Sequence, residues 1–280
     1  MKKYILVCAC LAFATSLSAC NKKSDGDTVS AQNDATALDG WTLVWNDEFN
    51  TGTVPSPEKW SFDVGGSGWG NNELEYYTQY RKENARIENG SLIIEARKED
   101  FEGRKYTSAR MHTTNKGDWL YGRMEIRAKL PAGVGTWPAI WMLPTDWKYG
   151  GWPNSGEVDI MEHVGYDPNV IVGSTHSLKY YFKIGTQRNK TIRLPDVFNQ
   201  FHTYAVEWYA DRIDFFVDST KYFSSPNDGT DWQAWPFDQR FHLILNVAIG
   251  GDWGGARGVD DSAFPLRMVV DYVRVYKKNN

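Results

Sequence analysis

Apolar and polar residues alternate along much of the chain between Trp41 and Tyr276. In Arg123–Leu130, Met124, Ile126, Ala128 and Leu130 fall on one face, and Arg123, Glu125, Arg127 and Lys129 on the other. A period of two predicts a strand with one buried face. The same alternation recurs over Tyr204–Trp208, Ile213–Val217, Leu243–Ile249 and Met268–Tyr276. Turn formers punctuate the intervals: Asn89-Gly90, Pro131-Ala-Gly133, Asp228-Gly229 and Gly250-Gly251. Long amphipathic helical patterns and internal repeats are missing. Many strands with few helices predict an all-β fold, a jelly-roll sandwich. Residues 38–280 read as one domain, and 41% hydrophobic content is enough for a full core.

The first twenty residues break this pattern. MKKYILVCACLAFATSLSAC carries two lysines, an apolar run from Tyr4 to Phe13, and then small residues. The run falls short of the ~20 residues a membrane-spanning helix needs, so it reads as a secretory signal. Leu17-Ser18-Ala19-Cys20 resembles the bacterial lipobox, which implies cleavage before Cys20 and lipid on that residue. Cys8, Cys10 and Cys20 are the only cysteines, so the exported domain must hold by packing without disulfides. The expected organisation is a signal peptide over 1–19, a polar flexible tether over 20–37 and the domain over 38–280. The acidic stretch Ser24-Asp25-Gly26-Asp27 is loosely similar to surface-export signals of some Gram-negative lipoproteins. The expectation is therefore a protein anchored to the outer membrane by lipid and facing the cell surface.

The formal charge of −4 becomes −6 once Lys2 and Lys3 are removed with the signal. That balance excludes a basic footprint for nucleic acid. Thirteen Trp, fifteen Tyr and thirteen Phe are a heavy aromatic loading; the rings can fill a core, which normally takes the larger share, or present π faces to a ligand.

The stretch GEVDIMEH, Gly156–His163, concentrates three carboxylates. On a helix, Glu157 and Asp159 would lie about 200° apart and Glu157 and Glu162 about 140° apart, so no face gathers all three. As a strand, Glu157 and Asp159 share a face while Val158 and Ile160 oppose them. Strict alternation would then bury Glu162, a costly place for an unpaired charge. A β-bulge around Ile160-Met161 restores Glu162 to the side of the other two. Two carboxyls facing a cleft are what glycoside hydrolysis requires. Residues five apart on such a strand have Cα atoms roughly 13–16 Å apart, whereas retention needs carboxyls about 5–5.5 Å apart. The face must therefore be concave. Taken alone, three acids in six positions describe a solvated strand face as readily.

Their surroundings narrow the choice. Gly135-Thr-Trp-Pro-Ala-Ile-Trp-Met-Leu-Pro144 precedes the acids and Trp152-Pro-Asn-Ser-Gly-Glu157 runs into them. Here the chain resembles glycoside hydrolase family 16, and within it the laminarinase-like endo-β-1,3(4)-glucanases. Further anchors are Trp45-Asn-Asp-Glu-Phe49, Asn71-Asn-Glu-Leu-Glu-Tyr-Tyr-Thr78, Ser108-Ala-Arg110, Leu245-Asn-Val-Ala-Ile-Gly-Gly251 and Val270-Asp-Tyr-Val-Arg-Val-Tyr276. The resemblance spans roughly residues 41–277. It implies two curved antiparallel sheets with a concave cleft, and hydrolysis of β-1,3-linked or mixed β-1,3/1,4-linked glucan with retention of configuration. Alternatives on the same scaffold are a glycan-binding protein without catalysis and a transglycosylase.

The resemblance implies Glu157 as nucleophile and Glu162 as general acid/base, with Asp159 tuning both or serving as a structural carboxylate. Trp137 and Trp141 share a parity opposite Ile140 and Met142, so one side offers rings to sugars; Trp152 and Trp253 are further platform candidates, each with a core alternative. Asn72, Arg110 and Asn246 are candidate ligands for glucose hydroxyls, or turn and surface residues. His176 resembles a cleft histidine of the family, or is a structural one. Asp271 shares parity with Val269, Val273 and Val275 and so is expected on a buried face, where a carboxylate needs a partner. Either structural Ca²⁺, held by Asp271 with backbone oxygens near Glu48 and Gly90 as the family implies, or a hydrogen-bonded or Arg-paired Asp would meet that need. The chemistry itself requires no cofactor, and the protein is expected to be a monomer.

Overall fold

The computed structural model describes residues 36–280. The signal peptide, Cys20 and nearly all of the tether lie outside the described residues. In chain order the strands are β1 Trp41–Asp47, β2 Ser61–Asp63, β3 Glu75–Tyr77, β4 Ala85–Glu88, β5 Ser91–Phe101, β6 Arg104–Ser108, β7 Arg110–His112, β8 Asp118–Trp119 and β9 Gly122–Lys129. There follow β10 Thr136–Pro144, β11 Glu157–Glu162, β12 Val170–His176, β13 Arg188–Arg193, β14 His202–Trp208, β15 Arg212–Val217, β16 Thr220–Pro226, β17 Phe241–Ile249 and β18 Leu266–Lys278. The helical elements among the described residues are two 3₁₀ turns, Phe182–Ile184 and Asp261–Ala263.

Two sheets form a sandwich. One runs β16-β15-β14-β9-β18-β5-β6-β3, with β1 on β18 and β4 on β5; the other runs β13-β12-β11-β10-β17-β7-β2, with β8 on β17. Alternation decides what each contributes to the core between them. Met124, Ile126 and Ala128 of β9 are buried with Tyr204, Val206 and Trp208 of β14. From the second sheet, Leu243, Leu245, Val247 and Ile249 of β17 meet Ile140 and Met142 of β10. The odd-numbered residues of β17 thus fill the core while Asn246 and Ala248 line a cleft on the other face.

The irregular strand β11 behaves as its spacing requires. On β10, Ile140 faces Met161 and Trp141 faces Asp159, leaving Ile160 without a partner. On β12, Asp159 faces Ser174 and Glu162 faces Val172, again with one extra residue in β11. Val158, Ile160 and Met161 are all buried in the core. Two consecutive inward side chains are what re-phase the strand and turn Glu162 to the cleft.

A second bulge overturns one expectation. Register between β18 and β9 shifts between Val270 and Tyr272, so Leu266, Met268 and Val270 point inward before the bulge and Val273 and Val275 after it. Asp271 is the extra residue. Its side chain is 36% exposed rather than buried, and it pairs with Arg127. Of the two partners left open for Asp271, the structure forms the arginine. The Glu48 carboxylate pairs with Arg274 at 2.8 Å, which does not engage its backbone oxygen, and Gly90 occupies a left-handed turn at φ 74° facing Asn50. A calcium ion bound through the Asp271 carboxylate would compete with the Arg127 guanidinium.

The bulge makes a direct prediction for stability. Deleting Met161 gives a strand that alternates without interruption and keeps Glu162 on the cleft side, but removes a fully buried side chain. The loss should be about 2–4 kcal/mol, as for other buried Met truncations, read as a lower midpoint in denaturant with native far-UV dichroism. An unchanged midpoint would show that the extra residue contributes nothing to the core.

Candidate active site

The outward face of the second sheet carries the site. Gly156 leads into β11 with φ 89°, and a Cβ there would lie 2.9 Å from Pro236 Cγ. Glycine at this position lets the chain enter the sheet against the 236–237 segment with Glu157 facing out. Glu157, Asp159 and Glu162 then line one cavity together. Each has a polar partner from a neighbouring element. The indole of Trp152 donates to Glu157 Oε2 at 2.5 Å, and that of Trp137 to Glu162 Oε1 at 3.0 Å. His176 Nε2 on β12 lies 3.1 Å from Asp159 Oδ2.

Two cavities adjoin at these acids. One, about 280 Å³, is lined by Trp69, Arg110, Trp141 and Asn246; the other, about 580 Å³, by Tyr166, His176, Asn189 and Trp253. Glu157 and Glu162 line both. The carboxyls therefore stand at the middle of a groove that continues in two directions, which suits a bond inside a polymer rather than at its end.

Most of the expected residues meet here. The Arg110 guanidinium sits 4.9 Å from the Trp69 ring and 4.7 Å from the Trp141 ring while pairing with Asp63 at 2.9 Å. The Trp141 indole donates to Asn246 Oδ1 at 2.8 Å. Trp253 meets Trp137 edge-on at 5.4 Å between centroids. The tryptophans are half-buried rather than core residues; each indole nitrogen of Trp137, Trp141 and Trp152 is hydrogen-bonded, which fixes its ring.

Asn72 does not join them. It takes a left-handed conformation at φ 57°, is exposed, and donates to Asp252 Oδ1 at 2.8 Å. Its neighbour Asn71 lines both cavities instead. The turn over Gly68–Asn72 has no period, so parity could not choose between the two asparagines. Trp69, Glu73 and Tyr77 were also overlooked. A signal existed for the last two: Glu73, Glu75 and Tyr77 alternate with the exposed Leu74, and all three are buried.

Electrostatics follow from crowding three acids out of water. Burial pushes Glu157 up to about 8, with the Asp159 charge adding to the rise and His176 opposing it. Burial pushes Glu162 up to about 7; His176 lowers it and Glu157 raises it. Asp159 is driven well above the usual carboxylate range by burial and then by Glu162. The three titrate as a unit, and near neutral pH the cluster retains protons. Such a cluster can supply a carboxylic acid and a carboxylate side by side. Glu157, Asp159 and His176 also place a ligand atom each within 4.8 Å of one another, the only such trio among the described residues.

A carboxyl whose folded value is raised binds a proton that the unfolded chain has already released. Stability therefore falls as pH climbs from the usual 4.5 towards about 8. Glu157→Gln removes that loss. The variant should gain on the wild type between pH 5 and pH 8, by on the order of 1–2 kcal/mol at the upper end, in paired thermal melts. An equal offset at both pH values would contradict it.

Comparison with known proteins places this geometry. The family model for glycosyl hydrolases family 16 matches residues 72–274. A β-glucanase of Rhodothermus marinus is 57% identical over 244 residues, covering 85% of each chain. A glucan endo-1,3-β-glucosidase of Cryptopygus antarcticus is 40% identical over 243 residues, covering 81% of this chain and 87% of its own. Among solved structures, the laminarinase from Rhodothermus marinus superposes with a TM-score of 0.84 at 55% identity, over 86% of this chain and 98% of the other.

Proposed function

The chain belongs to glycosyl hydrolases family 16, and from that premise we propose that it is a retaining endo-β-glucanase acting on β-1,3-glucan and mixed-linkage β-1,3/1,4-glucan. The observation that carries this reading is the bulged strand β11, which sets two glutamates where the two arms of the groove meet.

In the first step Glu157 attacks the anomeric carbon, and the bond to the leaving oxygen breaks as Glu162 gives that oxygen its proton. The Trp152 indole N–H holds the Glu157 carboxyl through Oε2. Burial and the nearby Glu157 charge help Glu162 hold its proton, while Asp159, two residues from Glu157 on the same face, hydrogen-bonds Glu157. Glu162 is left as a carboxylate by the first step, and with the Glu157 charge removed by esterification it stays ionised until it takes a proton from water, whose oxygen attacks the anomeric carbon and breaks the ester bond to free Glu157. Net retention follows from two inversions. Side chains perform every proton transfer, so the chemistry needs no cofactor. Trp137, Trp141 and Arg110 hold the glucose rings by stacking and hydrogen bonding.

The wild type should release reducing ends from laminarin and from mixed-linkage glucan. Glu157→Gln should lower kcat by about 10³-fold or more while leaving glycan affinity within a few fold. A wild type that binds glucan without cutting it would replace this reading with a binding protein.

We also propose that the domain is held at the bacterial outer membrane through lipid on Cys20, as a monomer working on polymer outside the cytoplasm. The lipobox-like Leu17–Cys20 supports this. Cys20→Ser should move the protein from the membrane fraction to the soluble one; unchanged fractionation would remove the anchor from the account.

A further inference from the structure

A second pair of carboxyls lies beside the groove. Glu73 is 5% exposed and lines the cavity next to Arg110; Glu75 is fully buried. Glu75 Oε2 accepts from the Ile249 backbone N–H at 2.7 Å, but Oε1 is buried without any hydrogen-bond partner. Neither glutamate forms an ion pair among the described residues. The titratable neighbours of Glu75 are Glu73, Tyr77 and, opposite on β6, Tyr106. Arg110 of β7 acts on Tyr77 and is already paired with Asp63.

From Glu73 a line of hydrogen bonds runs into the groove. The Tyr77 hydroxyl donates to Glu73 Oε2 at 3.0 Å, Asn246 Nδ2 donates to the Tyr77 oxygen at 3.1 Å, and the Trp141 indole donates to Asn246 Oδ1. Each link has one direction, because an indole only donates and a carboxylate only accepts. The line needs an acceptor at its far end, and that end is Glu73. An orphaned buried carboxyl oxygen beside it is costly unless it carries a proton to give.

We propose that Glu73 and Glu75 share one proton and act as a positioning pair, Glu75 donating through its otherwise unpaired Oε1 to Glu73, so that the direction of the line to Asn246 and Trp141 is fixed. With both acids ionised, two charges would face each other in a dry pocket. With the proton on Glu73 Oε2 instead, that oxygen would donate to Tyr77, and the Tyr77 hydroxyl would turn to compete with the Trp141 indole for Asn246 Oδ1. Burial also raises the Glu75 carboxyl well above its usual range, with the Glu73 charge adding to it. These residues act through Asn246 and Trp141, and the consequence for substrate rests on the glucanase reading above.

Glu75→Gln tests the idea, because glutamine can still accept from Ile249 N–H and donate to Glu73 but cannot titrate. It should bind and cut laminarin within about twofold of wild type, and its melting temperature should gain on wild type as pH rises from 5 to 8. Glu75→Leu, which cannot donate, should raise KM about tenfold with kcat changed far less. Tyr77→Phe, which breaks the line and leaves the pair intact, should raise KM similarly with the wild-type pH slope of stability. A glutamine variant as impaired as the leucine one, or with a stability slope parallel to wild type, would overturn the proposal. The melts need no substrate, so they judge the shared proton even if the wild type proves inactive on glucan.

Discussion

Like charges brought out of water repel, and this chain places three carboxyls on one strand face within six residues, Asp159 buried and Glu157 and Glu162 partly so. Much of the surrounding structure answers that cost. Indoles from two directions donate to Glu157 and Glu162, and a histidine on the adjacent strand sits against Asp159. What repulsion remains appears as retained protons. On the proposed mechanism, the feature that is expensive for folding is thus the one that supplies an acid and a nucleophile together.

The extra residue in β11 connects this chemistry to the core. Ile160 and Met161 both point inward, so the hydrophobic contacts that anchor the strand also set the phase of Glu162. Moving one residue would exchange the faces. Packing between the sheets and placement of the acid are consequently one constraint, and the tryptophans that orient the carboxyls are set by the neighbouring strand β10 and the turn before β11.

How far the sequence could be read depended on period. Strands β9, β14, β15 and β17 alternate cleanly, and their core and cleft residues follow from parity alone. In β11 the break in parity was itself informative, because a charge on the wrong face demanded a bulge. In β18 a bulge of the same kind was invisible: valines stand on both sides of Asp271, nothing polar is forced inward, and parity placed Asp271 in the core when it is half-exposed beside Arg127. Asn72 was left open between a sugar ligand and a turn residue for a different reason: the turn before β3 has no period, and in the fold Asn72 is the turn residue while Asn71 takes the cleft position. The Glu73–Glu75–Tyr77 alternation was legible but weak, because alternating acids at a strand's start usually face solvent; only in the fold are they buried, with Glu75 accepting from the Ile249 backbone N–H.

The central claim is that β11 presents Glu157 to attack and Glu162 to protonate. A glucosyl or laminaribiosyl donor with fluorine at C2 and a good leaving group slows the second step and traps the covalent intermediate. Mass spectrometry of the digested protein should then find the sugar on Glu157, in the peptide that carries β11. Label on Glu162, or active enzyme that never accumulates a covalent adduct, would contradict the assignment of roles.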